Sequence, residues 1–343
     1  MARKIAAPGP GTQRMGKKRE TSAVAVKPDR NRTVVVPAFA KLNLDLRILH
    51  RRQDGFHEIR TIFQTISLHD TLTIEFKRSR QTRLELDSSE EIEENIVLKA
   101  ARAVLEYMDV TAQVRFSLDK KIPMGAGLGG GSSNAAAVLL ALPSLAGQGL
   151  SANVLQRLAS WLGSDVPFFL YGGTALGLGR GIELYPLPDI ESQAGVVAPG
   201  NVHISTAEAY GDLQRPVLES GDESSITDSL TSSEGFPILG EFQAVAWALD
   251  RRPLGEIPFQ NDFESVVLAK HPELAEIARK LRRNGANSVR MTGSGSAFFG
   301  LAATVAKARK IAQAIPGAIP IKFVTRREYR KRWAEALGPQ PRL

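Results

Sequence analysis

The sequence predicts an α+β protein of two domains, and three observations support this fold class. The chain has 343 residues, which is more than one hydrophobic core usually organises. Strand-like segments dominate the first part of the chain, and helix-like segments with interspersed strands follow them. The pattern starts again near residue 190. We therefore predict a first domain over 33–189 and a second domain over 190–325, with a tail on either side.

The net charge of +8 belongs to the two ends of the chain rather than to its body. Residues 1–32 carry a net charge of +7 and residues 321–343 a net charge of +5, which leaves −4 for the rest. A nucleic-acid-binding protein is expected to hold its positive charge on a folded face. We therefore interpret 1–32 as a disordered basic tail and 326–343 as a basic C-terminal tail, and we expect no nucleic-acid partner.

Composition excludes several kinds of chemistry. The sequence has no cysteine, which excludes disulfides, thiolate catalysis and cysteine-bound metals. No apolar run is long enough to span a bilayer, so we expect no membrane partner. The first 32 residues contain no continuous apolar stretch of signal-peptide length. These observations fit a cytoplasmic protein, which is our expectation.

The first domain is predicted to open with strands. Residues 33–40 have strand-like composition, and residues 41–49 alternate polar with apolar side chains, which is typical of a half-buried strand. A turn follows at 51–55. Further strands are predicted at 56–63, 70–76, 83–86 and 113–118, and a Gly-rich hairpin at 172–187 is predicted to turn at Gly179–Gly181. Helices are predicted over 95–108, 132–142 and from a cap at Ser151 to a stop at Gly163.

The second domain is predicted to mix helices and strands around one insertion. Residues 211–240 are rich in Ser, Glu, Asp and Gly, and we interpret them as a mobile insertion. Helices are predicted near 238–250, 261–270, 272–284 and 303–315. Strands are predicted at 287–290, 296–301 and 320–324, the first two on either side of the Gly-rich segment 291–295.

A Gly-rich loop before the Ala-rich helix is the strongest functional signal. Five glycines in seven positions let the backbone approach a ligand closely, and the helix that follows offers free N–H groups and a dipole to an anion. Two serine hydroxyls at the start of that helix add further donors. The loop therefore predicts a phosphate-binding site made of Pro123, Met124, Gly125, Ala126, Gly127, Leu128, Gly129, Gly130, Gly131, Ser132 and Ser133.

Two familiar phosphate folds fit this loop poorly. Residues 125–130 match the dinucleotide pattern G-x-G-x-x-G, but that site usually has an acidic residue about twenty positions later. Here no Asp or Glu occurs between Asp119 and Asp165. A P-loop would end in Gly-Lys-Ser/Thr, whereas Gly131 is followed directly by Ser132.

The sequence resembles the GHMP kinases at three motifs in the family's order. They are Pro123–Ala137 (the ATP loop), Ala40–Leu44 and Met291–Phe298. The resemblance covers roughly 36–325. It implies a first domain similar to ribosomal protein S5 domain 2 and a ferredoxin-like second domain, with the site between them. It also implies ATP-dependent phosphorylation of a small-molecule alcohol, with Mg²⁺ arriving together with ATP.

Further motifs resemble the family members that act on a CDP-linked alcohol. They are Arg52–Glu58, Glu94-Asn95 and Gly163–Phe168. The chain departs from these members at Phe39, where proline is frequent, and at Phe56, where tyrosine is frequent. A different GHMP kinase, such as a homoserine kinase, is the alternative. A non-catalytic nucleotide-binding module is disfavoured because both Lys41 and Asp165 are present.

Two residues are implied by the resemblance to be catalytic. Asp165 would orient and deprotonate the attacking hydroxyl, although a carboxylate before Pro167 also suits a helix N-cap. Lys41 would lie beside Asp165 and stabilise the phosphoryl group in transfer, although most lysines are simply exposed. Phosphoryl transfer depends mainly on positioning and charge, so both residue types fit.

The resemblance also implies residues that bind substrate and adenine. His57 would read a cytosine, and Phe56 would stack on it. Tyr210 would supply an opposite ring, although an ordinary core aromatic is an equal alternative. Asn43 would contact the substrate, and Asn95 would lie near the adenine. The Gly-rich segment would place Gly293 and Ser294 against the substrate or the phosphates.

Overall fold

The computed structural model describes residues 31–90, 95–191, 193–216, 249 and 253–338. Residues 1–30 of the predicted tail are not among the described residues. The same holds for the part of the predicted insertion that begins at position 217. The helix predicted near 238–250 also falls outside them, except for Leu249. The described residues form two sheets with helices packed against them, which confirms the α+β class.

Six strands form the first sheet. They are β1 (Arg32–Arg51), β2 (His57–Arg78), β3 (Arg83–Ser88), β4 (Ala112–Asp119), β5 (Thr174–Leu178) and β6 (Glu183–Pro186). Their order is β3-β4-β2-β5-β6, and β1 pairs with β2. The pairs are antiparallel except for β3 with β4, which are parallel. The hairpin predicted over 172–187 is confirmed as β5 and β6.

β1 and β2 are each longer than the sequence pattern predicts. The segments predicted as separate strands join into two continuous strands of 20 and 22 residues. Register shifts occur near Phe39, Asn43 and Ile48, where β1 bends against β2. Such bulges break the alternation of buried and exposed side chains, so each strand looks in the sequence like two shorter ones.

Four helices cover the first sheet. They are α1 (Ile96–Met108), α2 (Gly130–Ala146), α3 (Ala152–Leu162) and α4 (Phe168–Tyr171). α2 is almost entirely buried in the main hydrophobic core, which explains its Ala-rich sequence: small side chains let the helix approach the sheet closely. α2 begins at Gly130, two residues before its predicted start, so that its first turn is the end of the Gly-rich loop.

The second sheet is a four-stranded antiparallel sheet. Its strands are β7 (Ala194–Ala198), β8 (Asn287–Met291), β9 (Phe298–Ala302) and β10 (Ile319–Lys322), in the order β10-β7-β9-β8. A 3₁₀ turn at Leu254–Glu256 precedes its later helices. The helices are α5 (Thr206–Asp212), α6 (Phe263–Lys270), α7 (Leu274–Arg283) and α8 (Val305–Gln313).

The segment predicted as a basic C-terminal tail is folded, so this prediction is wrong over most of its length. Residues Arg326–Leu337 form a helix, α9, which packs on the first domain. Tyr329 and Trp333, one helical turn apart, are 2% and 3% exposed. The Tyr329 hydroxyl donates a hydrogen bond to the carbonyl of Phe169. The abundant charged residues of α9 hide this narrow aromatic stripe in the sequence.

Backbone hydrogen bonds join the end of β1 to the second domain. The amide of Leu46 donates to the carbonyl of Gln260 at 2.8 Å, and the amide of Asp262 donates to the carbonyl of Leu46 at 3.0 Å. A carboxylate oxygen of Asp262 also accepts the amide of Ile48 at 2.9 Å. These contacts fix the two domains on either side of a shared cleft.

Candidate active site

A cleft of about 970 Å³ lies between the two domains. The first domain contributes Lys41 and Asp165 to its lining, and the second domain contributes His203, Tyr210 and Ser294. Ligand sites in proteins are concave, often lie between domains and gather a few convergent polar groups. The cleft has each of these properties.

The Gly-rich loop forms one wall of the cleft. Gly127 has a φ of +74°, and a Cβ atom there would lie 2.1 Å from the carbonyl oxygen of Thr292. Gly129 has a φ of +70° and is the N-cap of α2. Both positions therefore require glycine, one for close packing against the second domain and one for the entry into the helix. The helix start faces the cleft with Gly129 and Ser132.

A buried carboxylate holds the residues that lead into this loop. Asp70 is 0% exposed, and its Oδ1 atom accepts the amides of Lys121 and Ile122 at 2.8 Å each. Its Oδ2 atom accepts the Lys120 ammonium at 2.5 Å and the Asn134 amide at 3.0 Å. A buried charge is stable only when it is paired and hydrogen-bonded, as here. The network ties the loop entrance to the second turn of α2.

Lys41 and Asp165 form an ion pair at the centre of the cleft. The Nζ atom of Lys41 lies 3.3 Å from Oδ2 of Asp165. The Lys41 side chain is 4% exposed, whereas that of Asp165 is 35% exposed. The amide of Lys41 donates to the carbonyl of Leu128 at 3.0 Å, which fixes β1 against the Gly-rich loop. The carboxylate is therefore accessible from the cleft, and the ammonium is held beneath it.

The helix-capping alternative for Asp165 does not describe this structure. The short helix α4 has Pro167 at its N-cap and no side-chain hydrogen bond to its first turn. Asp165 instead lies in the turn before α4, where its carboxylate pairs with Lys41.

Asn43 connects Lys41 to both domains. Its side-chain oxygen accepts the Lys41 ammonium at 2.5 Å, and its side-chain amide donates to the Thr61 hydroxyl at 2.7 Å. Its backbone amide donates to the Thr292 hydroxyl at 3.0 Å. Asn43 lines the cleft and is 4% exposed. These contacts orient the ammonium of Lys41 toward Asp165.

His57 and Tyr210 stack on each other across the cleft. Their ring centroids are 4.6 Å apart with an interplanar angle of 16°, and Phe263 meets the Tyr210 ring edge-on at 4.9 Å. Burial, followed by the positive charge of Arg51, lowers the pKa of His57. Burial raises the pKa of Tyr210. His57 thus favours its neutral form, which can both donate and accept hydrogen bonds.

Phe56 lies at the rim of the same cleft and is 49% exposed. One face of its ring is covered by the guanidinium of Arg180, whose carbon lies 4.3 Å from the ring centroid. Tyr210 lies against His57, so the structure places an aromatic pair and a separate arginine–aromatic pair at this end of the cleft.

Several predicted residues lie outside the lining of the cleft. Asn95 caps α1 by accepting the amide of Val97 at 2.9 Å, and its buried Nδ2 atom has no partner among the described residues. Ser133 is 2% exposed and packs inside the first domain. The remaining loop residues outside the lining are Pro123, Met124, Ala126, Leu128, Gly130 and Gly131. Among them, Ala126 and Leu128 are buried and anchor the loop.

The cleft contains residues that the sequence pattern did not identify. His203 lies against the Gly-rich loop, where a Cβ atom on Gly125 would be 2.7 Å from its Nδ1 atom. The Thr206 hydroxyl lies 2.8 Å from that of Ser294. Three charged residues that were not predicted also line the cleft, and these are Arg51, Arg180 and Arg215. No motif marks them, because they follow turns and strand ends whose position in space depends on the fold.

Asn261 is a further residue that the sequence analysis missed. Its side-chain amide donates to the carbonyls of Met291 at 2.8 Å and Gly293 at 2.9 Å. Glu264 accepts the amide of Met291 at 2.7 Å. Both residues hold the segment that presents Gly293 and Ser294 to the cleft. The sequence predicted only a helix here, and an Asn-Asp pair at its start was the available signal.

The described residues contain neither a cluster of metal-binding side chains nor a membrane-spanning helix. No three His, Asp or Glu side chains there lie close enough together to hold a metal ion. No helix in the described ranges is long and apolar enough to cross a membrane.

Family models match both domains of the chain. The model for the GHMP kinase N-terminal domain matches residues 95–173, and the model for the GHMP kinase C-terminal domain matches residues 245–320. The first match includes the Gly-rich loop and Asp165, and the second includes the segment that carries Gly293 and Ser294.

Relatives match the chain over most of its length. The 4-diphosphocytidyl-2-C-methyl-D-erythritol kinase of Solibacter usitatus is 48% identical over 310 residues, covering 89% of this chain and 93% of the relative. The kinase of the same name from Moorella thermoacetica is 38% identical over 301 residues, covering 85% of this chain and 98% of the relative.

Solved structures share the fold. A crystal structure of 4-(cytidine 5'-diphospho)-2C-methyl-D-erythritol kinase matches with a TM-score of 0.67 and 35% identity, covering 84% of this chain and 98% of that chain. Homoserine kinase from Cytophaga hutchinsonii matches with a TM-score of 0.61 and 19% identity, covering 89% and 99%, which shows the fold alone. The chain therefore belongs to the GHMP kinase family and is a small-molecule kinase that uses ATP.

Proposed function

We propose that this chain transfers the γ-phosphoryl group of ATP to the 2-hydroxyl of 4-diphosphocytidyl-2-C-methyl-D-erythritol, giving the 2-phosphate and ADP in non-mevalonate isoprenoid precursor synthesis. The observation that carries the proposal is the Lys41–Asp165 pair, 3.3 Å apart, in the same cleft as the Gly-rich loop and the His57–Tyr210 pair. The 48% identical relative carries this substrate in its name.

In the proposed reaction, each of three groups in the cleft has its own task. Asp165 accepts the proton of the substrate hydroxyl, and the freed oxygen attacks the γ-phosphorus while the bond to the β–γ bridging oxygen breaks. Lys41 lies where it can stabilise the negative charge on the transferring group. The free amides at the start of α2 bind the ATP phosphates. Since the transition state of phosphoryl transfer is loose, positioning and charge supply most of the catalysis.

Mg²⁺ would accompany ATP in this reaction. Mg²⁺ prefers oxygen ligands and is commonly bound through substrate phosphates with one or two protein groups. Ser132 brings a hydroxyl oxygen to the cleft, and this is a ligand of the suitable kind. The ion would neutralise charge on the β- and γ-phosphates. We further propose that the enzyme works in the cytoplasm, as its cysteine-free composition allows.

The cytidine end of the substrate would bind at the aromatic rim. A neutral His57 offers a donor and an acceptor to the polar edge of the base. Phe56 offers an exposed ring for stacking, which favours a planar base, and Tyr210 is stacked on His57 and holds that ring in place. Under this proposal Asn43 acts on the substrate chiefly by holding Lys41, and Gly293 and Ser294 form the opposite wall.

A coupled ADP-release assay with a panel of alcohols tests the proposed substrate. We expect turnover of 4-diphosphocytidyl-2-C-methyl-D-erythritol and a kcat/KM for homoserine or mevalonate that is lower by several orders of magnitude. His57→Ala should lower turnover of the CDP-linked alcohol. Preferred turnover of homoserine, unaffected by His57→Ala, would instead establish the alternative kinase and refute the proposed substrate.

A further inference from the structure

The tip of the β5–β6 hairpin is shaped to project one arginine into the cleft. Arg180 is flanked by Gly179 and Gly181, whose φ angles are +66° and +86°. The carbonyl of Gly179 accepts the amide of Ile59 at 2.7 Å, and the amide of Gly181 donates to the carbonyl of Leu178 at 2.9 Å. These hydrogen bonds fix the backbone on both sides of Arg180, which lines the cleft and is half-buried.

The hairpin tip adjoins the aromatic rim and also the Phe63 ring, beside which Lys41 lies. On one side, Arg180 covers the ring of Phe56 at 4.3 Å. On the other side, a Cβ atom on Gly181 would lie 3.7 Å from the ring of Phe63. The Nζ atom of Lys41 is 5.6 Å from the centroid of that same ring. The tip therefore adjoins both the proposed base-binding end of the cleft and the ring that lies beside the reacting end.

Lys41 and Arg215, two other cations that line the cleft, are engaged by carboxylates, and Arg51 lies near His57 at the aromatic rim. Lys41 pairs with Asp165 at 3.3 Å, and Arg215 pairs with Asp262 at 2.9 Å. Near Arg180, the carboxylate of Asp54 pairs with Arg52 at 3.2 Å. The guanidinium of Arg180 carries five N–H donors, so its contact with the Phe56 ring leaves donors available for acceptors.

A CDP-linked alcohol has its diphosphate between the cytidine and the alcohol. If the cytidine binds at the rim and the hydroxyl at Asp165, the diphosphate lies in the cleft between them, where Arg180 is part of the lining. Arginine is suited to this position because its planar donors match phosphate oxygens and its charge is permanent.

We propose that Arg180 binds the diphosphate of the substrate. The inference rests on the proposed function. Arg180 would be a specificity-determining residue, since it distinguishes a diphosphate-linked cytidine from an uncharged one. It lies away from the reacting hydroxyl, so it should affect substrate binding more than the chemical step.

The test compares the binding of CDP and of cytidine by titration calorimetry. The wild-type chain should bind CDP more tightly than cytidine. Arg180→Gln should weaken CDP binding about tenfold to a hundredfold, which is typical for the loss of a charge-assisted hydrogen bond, and should change cytidine binding less than about threefold. The KM for the CDP-linked alcohol should rise by a similar factor with little change in kcat. Arg180→Lys keeps the charge and should retain part of the CDP preference.

Phe56→Leu serves as the matched control for the stacking contact. It removes the ring and keeps Arg180, so it should weaken cytidine and CDP by similar factors. If Arg180→Gln also weakens both ligands equally, Arg180 only supports Phe56 and the inference fails. Suppose instead that the wild-type chain turns over the CDP-linked alcohol and that Arg180→Gln leaves the preference for CDP unchanged. This result refutes the inference about Arg180 but not the proposed function. A wild-type chain with neither turnover nor CDP preference refutes the proposed function as well.

Discussion

Lys41 and Asp165 come from opposite ends of the first domain and meet with their charged atoms 3.3 Å apart. β1 supplies the lysine and the turn before α4 supplies the carboxylate. The different exposures of the two side chains, 4% and 35%, give them different tasks. The buried ammonium is fixed by Asn43, and the accessible carboxylate can reach a ligand.

Removing either member of this pair should abolish most of the activity. We expect Asp165→Asn and Lys41→Ala each to lower kcat by about two to four orders of magnitude, as is usual for a positioned acid–base or charge-stabilising group. Asp165→Asn keeps the shape of the side chain, so the fold should remain intact by circular dichroism. The kcat is measured by ADP release at saturating substrates. A folded variant with nearly full kcat would contradict the assignment.

Gly127→Ala should disrupt nucleotide binding. A methyl group at this position would lie 2.1 Å from the carbonyl oxygen of Thr292, in a backbone conformation with a φ of +74°. The loop or the second-domain segment must therefore move, and affinity for an ATP analogue should fall at least about tenfold. Gly149→Ala is the matched control, since no atom lies within 4 Å of its Cβ position. Equal affinities in the two variants would show that the close approach is unimportant.

Tyr329→Phe should destabilise the first domain although it lies outside the cleft. The variant removes the hydroxyl that donates to the carbonyl of Phe169 and leaves that acceptor without its partner. An unsatisfied buried acceptor costs about 1–3 kcal/mol, to be measured as the free energy of unfolding in urea. Arg330→Ala, on the exposed face of the same helix, should change stability by less than about 0.5 kcal/mol. Similar values for both variants would show that the helix is only loosely attached.

Glu264→Gln should have an effect on stability that depends on pH. Burial raises the pKa of Glu264 above its ordinary value of 4.5, although the amide of Met291 acts in the opposite direction. The native state therefore binds the proton more tightly than the unfolded state, and ionisation destabilises the wild type as pH rises from 4.5 through the raised pKa. Glutamine keeps the acceptor oxygen and carries no charge.

The stability of Glu264→Gln relative to wild type should therefore increase between pH 4 and pH 7.5. The free energies of unfolding of both proteins are measured in urea at the two pH values. All other titrating groups contribute nearly equally to both proteins, so their contributions largely cancel in the difference. A constant or decreasing difference would show that burial does not dominate the pKa of this carboxyl.

The sequence predicted best the features that depend on local pattern. Periodicity placed α1 and the hairpin of β5 and β6, and glycine content located the loop before α2. Family motifs gave the residues of the cleft that lie within them, such as Lys41 and His57. The sequence pattern did not predict α9, because Tyr329 and Trp333 are only two apolar signals in a strongly charged segment.

The sequence also gave no indication of contacts made by tertiary packing. His203 touches the Gly-rich loop only because β7 directs the chain back toward the first domain. Asn261 holds the carbonyls of Met291 and Gly293 across thirty positions of sequence. Such hydrogen bonds leave no periodic trace, and a single asparagine at a helix start is compatible with many partners.

The hydroxyl of Thr292 has a consequence for the order in which ligands bind. It accepts the amide of Asn43 at 3.0 Å and lies 3.5 Å from the carbonyl of Gly127, and so adds a second connection to the hydrogen bond from the Lys41 amide to the Leu128 carbonyl, between the strand that carries Lys41 and the nucleotide loop. A shift of either segment on binding its own ligand should therefore be passed to the other. Because binding coupling is reciprocal, ATP and the acceptor alcohol should each change the affinity of the other by the same factor. We therefore expect the two substrates to bind cooperatively, and Thr292→Val, which removes one of the two connections, to reduce this coupling.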